Sequence, residues 1–308
     1  MKIVQIGIGI CGENHAKILS DLGVLSAVCD SNSQKSKEYG EKYSVNYYDS
    51  VDNLISSEDF DGAFVDTNTS SDVGIITKLL YEKKHVFVEN LMTYDSVESE
   101  KLRETSEKKK VVFTGGFDER FNPVTKQVKN FVKEKKYGDL ILLEFYSENK
   151  LSSPNNKGII FENSIKDIDV ANWLFDEMPL VVFARSGTVK NENEDFASIM
   201  LGYRNNKTAI ISSNGFSSKE IRELRAVCSE GVIFSDLVSQ KIKLEDEDSQ
   251  VSLVKKDLML LQIQKFIDVI EGKNDLVVKA QEAVNVIKIV EAALLSGKQG
   301  VPIYLDLK

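Results

Sequence analysis

Apolar runs of five to seven residues alternate with polar, helically spaced segments through the first 118 positions. The runs are "KIVQIGI" (2–8), "SAVCD" (26–30), "GAFVDT" (62–67), "HVFVEN" (85–90) and "VVFTGGF" (111–117). Between the third and fourth runs, "SSDVGIITKLLYEKK" (70–84) sets Val73, Ile76, Leu79 and Leu80 at three- and four-residue intervals, one face of a helix. Strands that are apolar throughout are those covered on both faces. This half therefore predicts a doubly wound parallel sheet.

Beyond Gly116 the rhythm changes. "NPVTKQVKNFVKEKKYG" (122–138) opens on Pro123 and closes on Gly138, the usual asymmetry of helix ends. A strand "DLILLEFYSEN" (139–149) and a helical stretch "SIKDIDVANWLF" (164–175) follow, and then longer strands. "DFASIMLGY" and "KTAIISSNGF" flank "RNN" as a hairpin; "AVCSEGVIFSD" followed by "SQKIKL" predicts more antiparallel pairing, with the acidic "EDEDSQ" (245–250) as a charged turn. Two helices near 257–272 and 279–297 precede a terminal strand "PIYLDL". The expected organisation is α/β throughout: residues 1–118 as a parallel-sheet domain, and 119–308 as a second α/β domain with a large, mostly antiparallel open sheet.

Composition narrows the function classes. A chain of 308 residues exceeds one small domain, and 42% hydrophobic with 28% charged residues is an ordinary globular mixture. A net charge of -9 repels phosphate backbones, so small molecules are expected as partners and nucleic acid is not. No apolar run approaches the roughly 20 residues that span a bilayer, and the amino terminus shows no cleavage pattern, so a cytoplasmic protein is expected. Cys11, Cys29 and Cys228 are too few and scattered for a disulfide framework, and no metal site is expected. The two histidines, His15 and His85, leave the last 223 residues without an imidazole.

"GIGICG" (7–12) follows a strand, opens a helix and lies eighteen residues before Asp30. Gly7 suits a tight turn, Gly9 a close approach to a pyrophosphate, and Gly12 helix-on-strand packing, while the helix amino end holds the anion. Asp30 would accept from ribose hydroxyls and repel a 2′-phosphate, which points to NAD rather than NADP. Cys11 sits among the loop amides and is expected mainly to fill space; His15, a turn further on, is expected to pack or bond locally. The strand ends "DTNTSSD" (66–72) and "VENLM" (88–92) share the same sheet edge. Thr67, Asn68 and Asp72 are equally good helix caps, whereas Glu89 and Asn90 end an apolar strand and need partners if buried. In "FENSIKDIDVANW" (161–173) helical spacing sets Glu162 and Lys166 one turn apart, either as a solvated ion pair or as a functional one.

Together these segments resemble the glucose–fructose oxidoreductase and inositol dehydrogenase family (Gfo/Idh/MocA). The likeness rests on the glycine loop followed by "NHAKIL", Asp30, "HVFVEN", "GGFDERFNP" (115–123), "DIDVANWL", "EDFASIMLGYRN" and "AALLSGKQGVPI". "ENHAKILSDLGVLSAVCD" looks most like the branch acting on nucleotide-linked sugars, such as UDP-N-acetylglucosamine 3-dehydrogenases. The resemblance implies a Rossmann domain holding NAD(P), a second domain that covers the site and commonly forms oligomers (here a homodimer or homotetramer), and hydride transfer between a sugar carbinol and nicotinamide.

It also implies a lysine at the end of the fifth strand and a histidine in the second domain as proton carriers. Asn90 stands at the lysine's place, Leu91 at the adjoining proline's, Glu162 at an aspartate's and Lys166 at the histidine's. An amide cannot exchange a proton near neutral pH, so Lys166 is expected to carry it, oriented by Glu162, with its pKa lowered towards 7 and with Asn90 positioning substrate. The resemblance further assigns Gly7, Gly9, Ile10, Cys11, Gly12, Asp30, Ser31, Thr67, Asn68, Asp72, Glu89, Asn90 and Arg120 to the cofactor. Asn122, Tyr146, Asn163 and Lys166 fall to the substrate, with Tyr146 as reserve proton carrier. Asp167 and Asp169 are expected to anchor the helix. The leading expectation is an NAD-dependent sugar or nucleotide-sugar oxidoreductase; the alternative is a protein of the same fold that has lost turnover and acts as a sensor or partner.

Overall fold

The computed structural model describes all residues except 67–71, 90–92, 151–156, 245–246 and 307–308. The chain divides into two units, Met1–Gly116 with Met259–Val284, and Phe117–Leu258 with Asn285–Lys308. Sequence reasoning cuts the chain once, so the return of 259–284 to the first unit is a difference.

In the first unit, strands β1 (Ile3–Ile6), β2 (Leu25–Cys29), β3 (Asn46–Tyr48), β4 (Gly62–Val65), β5 (His85–Val88) and β6 (Phe113–Gly115) form a sheet of order β3-β2-β1-β4-β5-β6. All its pairings are parallel. Helices α1 (Ile10–Asp21), α2 (Ser33–Tyr43), α3 (Val51–Ser57), α4 (Asp72–Tyr81) and α5 (Ser96–Lys109) make the crossovers. Strands β1 and β4 are buried at every position, as their unbroken apolar runs predict. Strand β3 was not anticipated: it is a three-residue edge whose Asn46 and Tyr47 face solvent, too short and too polar to make a run.

The second unit holds helices α6 (Pro123–Lys133) and α7 (Ile165–Phe175) and a nine-stranded sheet of order β14-β13-β12-β11-β7-β10-β9-β8-β15. Its strands are β7 (Leu140–Lys150), β8 (Val181–Gly187), β9 (Phe196–Gly202), β10 (Thr208–Asn214), β11 (Phe216–Cys228), β12 (Gly231–Asp236), β13 (Lys241–Leu244), β14 (Glu247–Ser252) and β15 (Ile303–Tyr304). The pairing of β10 with β7 is parallel and the others are antiparallel. The expected hairpin around "RNN" is present as β9 and β10, with Thr208 opposite Gly202. Part of the acidic segment read as a turn is instead strand, because β14 begins at Glu247.

Helices α8 (Leu258–Ile270) and α9 (Ala280–Gln299) lie between β14 and β15. Ile263 and Phe266 of α8 join Ile3, Leu19, Phe64 and Phe87 in one buried cluster of the first unit, and Phe266 meets both phenylalanine rings edge-on. Burying a phenylalanine stabilises by about 1.5–3 kcal/mol, enough to fix which core this helix joins. Among the described residues no helix is long and apolar enough to cross a membrane.

Candidate active site

The order of the parallel sheet reverses between β1 and β4, and open α/β sheets bind ligands beyond the carboxyl ends of their strands at such a point. Gly7, Asp30, Asp66 and Glu89 directly follow β1, β2, β4 and β5 and so converge there. Gly7 has φ 79°, which a side chain would strain. A Cβ on Gly12 would fall 2.2 Å from the Gly7 carbonyl oxygen, so helix and loop approach each other only because position 12 has none. From beneath, the wholly buried Gln5 side-chain amide donates to the Gly7 carbonyl at 2.8 Å. Gln5 was missed in the sequence, where one polar residue inside "KIVQIGI" was its signal.

Asp30 accepts from the Ile8 N–H at 2.8 Å through Oδ2 and from the Asn32 N–H at 2.9 Å through Oδ1. Each carboxylate oxygen keeps a further acceptor position for a hydroxyl. Ser31 is exposed beside it, Ile10 is 86% exposed at the start of α1, and Cys11 is only half-buried. Glu89 contacts His15 Nε2 at 3.0 Å, and the His15 ring is enclosed edge-on by Phe64 and Phe87. The local partner of His15 is therefore the strand-end carboxylate, at ion-pair distance. Asp72 is the first residue of α4; Thr67, Asn68 and Asn90 lie outside the described residues.

A second polar cluster belongs to the other unit, where Lys166 Nζ lies 2.9 Å from Asp118 Oδ2. Arg222 lies at ion-pair distance from Glu119, 2.9 Å, and donates to Asp167 at 2.6 Å, and Asp167 also accepts from the Ser147 hydroxyl at 2.7 Å. Burial disfavours charge at Lys166, but the Asp118 carboxylate, with Glu119 behind it, holds the ammonium above its usual range. Burial likewise disfavours charge at Asp118, yet Lys166 brings its carboxyl below the usual range. Burial pushes Glu119 and Asp167 upward despite Arg222.

These contacts correct several sequence expectations. Glu162 does not orient Lys166: it is exposed, accepts from the Lys157 N–H at 3.3 Å, and sits in a π-type turn over Ile160–Ser164 that spoils the four-residue spacing. The partner is Asp118, far away in sequence, and the resulting pKa shift is upward, not towards 7. Arg120 is buried in a two-pronged pair with Asp169, at 2.8 and 2.7 Å, an anchoring role for both. Asn122 is buried, caps α6 at the Val124 N–H, and donates to Glu119 and to the Leu237 carbonyl. Asn163 is buried and accepts from Asn149. Tyr146 is exposed, bonds Glu148, and alternates with Ser147, so it occupies the opposite sheet face from the Lys166 cluster.

Comparison with known proteins agrees with this architecture. The profile described as "Oxidoreductase family, NAD-binding Rossmann fold" matches residues 1–117, and the Gfo/Idh/MocA carboxy-terminal domain matches residues 125–234. The chain belongs to the Gfo/Idh/MocA oxidoreductase family. It is 26% identical over 267 residues to myo-inositol 2-dehydrogenase of Thermotoga maritima, covering 80% of this chain and 79% of that one. UDP-N-acetylglucosamine 3-dehydrogenase of Acidithiobacillus ferrooxidans superposes with a TM-score of 0.89 at 19% identity, over 97% and 98% of the two chains. A Bordetella pertussis dehydrogenase solved with NADH and UDP-GlcNAcA gives 0.88 at 14% identity, over 100% and 99%. At these identities the superpositions speak for the fold.

Proposed function

We propose that the protein is an NAD-dependent oxidoreductase acting on a secondary hydroxyl of a sugar or nucleotide sugar. The observation that carries this reading is the glycine loop at the switch point, closed below by Gln5 and flanked by an Asp30 carboxylate with acceptor capacity to spare. The loop and the amino end of α1 would hold the diphosphate, Asp30 the adenosine ribose, and Glu89, beside His15, the nicotinamide end. Bound NAD supplies a hydride acceptor, which a carbinol carbon can use only if its hydroxyl proton is also handled. Lys166 is assigned that proton, with Asp118 as the group that positions it. A lysine held protonated is ready to donate to a carbonyl, so reduction is favoured near neutral pH and oxidation in alkaline solution. The substrate class follows the relatives, which act on inositol and on UDP-N-acetylglucosamine.

NAD should bind on the order of 100-fold more tightly than NADP, because a 2′-phosphate would meet the Asp30 carboxylate at contact distance. Calorimetric titration with each cofactor checks this, and equal affinities would contradict it. A panel of inositols, sugars and UDP-sugars followed at the nicotinamide absorbance tests turnover. Cofactor binding without reduction on any of them would favour the sensor alternative.

The mostly antiparallel sheet leaves Tyr146, Ile210 and Phe234 exposed around a cavity of ≈ 770 Å³, with Met200 exposed as well. An apolar face of this kind suits a homodimer or homotetramer. Sedimentation should return a multiple of 34.5 kDa, and a monomer mass would count against assembly. A cytoplasmic location fits the composition.

A further inference from the structure

The amino end of α1 already carries an anion. Asp66, the residue after β4, is 8% exposed, and its Oδ2 accepts from the Gly12 N–H at 2.5 Å. A Cβ built on Gly9 would fall 2.9 Å from that same oxygen, and one built on Gly12 would fall 3.1 Å from it. The carboxylate therefore borders the hollow that the two side-chain-free positions leave open, on the side where helix amides and the helix dipole favour negative charge. A dinucleotide brings its diphosphate to this place. Two anions must then share one set of donors, in a site shielded enough for their repulsion to count.

We propose that Asp66 sets dinucleotide affinity by competing with the cofactor diphosphate for the amino end of α1. The inference rests on reading the glycine loop as the cofactor site and adds a residue that opposes binding there. Asp66 keeps the loop formed through Gly12 and weakens the hold on the cofactor, which favours exchange of oxidised for reduced cofactor over tight retention. Sequence reasoning passed over Asp66 because a carboxylate at a strand end looks like one more ribose or cap acceptor.

The test is calorimetric titration of the wild type, Asp66→Asn and Asp66→Ala with NAD, ADP and adenosine, with circular dichroism to confirm folding. Asp66→Ala removes the charge without adding a donor, so it must gain affinity as well; Asp66→Asn keeps an acceptor oxygen for Gly12 and exchanges the other, charged oxygen for a neutral amide. It should bind NAD and ADP at least ten-fold more tightly than the wild type, with adenosine unchanged because adenosine has no phosphate. Unchanged or weaker NAD binding by Asp66→Asn, beside a wild type that binds, overturns the competition and leaves the cofactor reading intact. An equal gain for adenosine also overturns it. If no form binds NAD or ADP, the cofactor reading itself fails and the inference falls with it.

Discussion

Replacing Lys166 with methionine is expected to lower NAD-linked turnover by about 10²–10⁴-fold, the range a positioned proton carrier contributes, while NAD affinity stays unchanged. Methionine keeps the length and removes the proton. The informative companion is Asp118→Asn. In the wild type the Asp118 carboxylate holds the Lys166 ammonium above its usual pKa, against burial and the Arg222 charge, which both push downward. Neutralising Asp118 removes the anion that raises it most and leaves the weaker pull of neighbours such as Glu119, so the lysine pKa must fall. Because alcohol oxidation needs the neutral amine, the alkaline limb of kcat/KM for oxidation should move to lower pH in Asp118→Asn and be absent in Lys166→Met. A merely structural ion pair would lower activity without moving that limb. Full activity in Lys166→Met, with a wild type that turns over, would remove Lys166 from the chemistry.

The same cluster marks the limit of what the sequence makes legible. Gly7, Gly9, Gly12 and Asp30 could be read because the turn, the close approach and the following strand end fix their separations within a single β-α-β unit. The parallel sheet could be read because strands such as β1 and β4, buried on both faces, leave unbroken apolar runs. The partner of Lys166 could not. The carboxylates at helical spacing are Glu162 and Asp169, and nothing in "FENSIKDID" announces the π-type turn that removes Glu162, the Arg120 that engages Asp169, or the arrival of Asp118 from 48 residues away. Tyr146 and Ser147 show the related difficulty on a strand. Alternation says that they point to opposite faces, and only the register with β11, where Arg222 lies opposite Ser147, says which face holds the charges. For α8 the apolar stripe is plain, yet periodicity cannot name the core it joins.

Asp169→Ala should be the most destabilising of these substitutions, at about 3–5 kcal/mol, the usual cost of removing one partner from a buried ion pair. Both side chains are almost wholly excluded from water, 2% and 1% exposed, and alanine removes both guanidinium bonds at once. Trp173, the only tryptophan in the chain, lies with its ring 5.9 Å from the Arg120 guanidinium. Its fluorescence during urea unfolding therefore reports on this unit. The midpoint should fall at unchanged slope, and a loss below about 1 kcal/mol would mean that water reaches Arg120 more readily than its burial indicates. Replacing both partners, Arg120→Met with Asp169→Leu, should recover most of the loss, because no buried charge is then left without a partner. NAD affinity in that double variant decides the remaining point about Arg120. Unchanged affinity fits a residue spent on holding α7 through Asp169, whereas a ten-fold loss would return Arg120 to the cofactor contacts that the family resemblance first assigned to it.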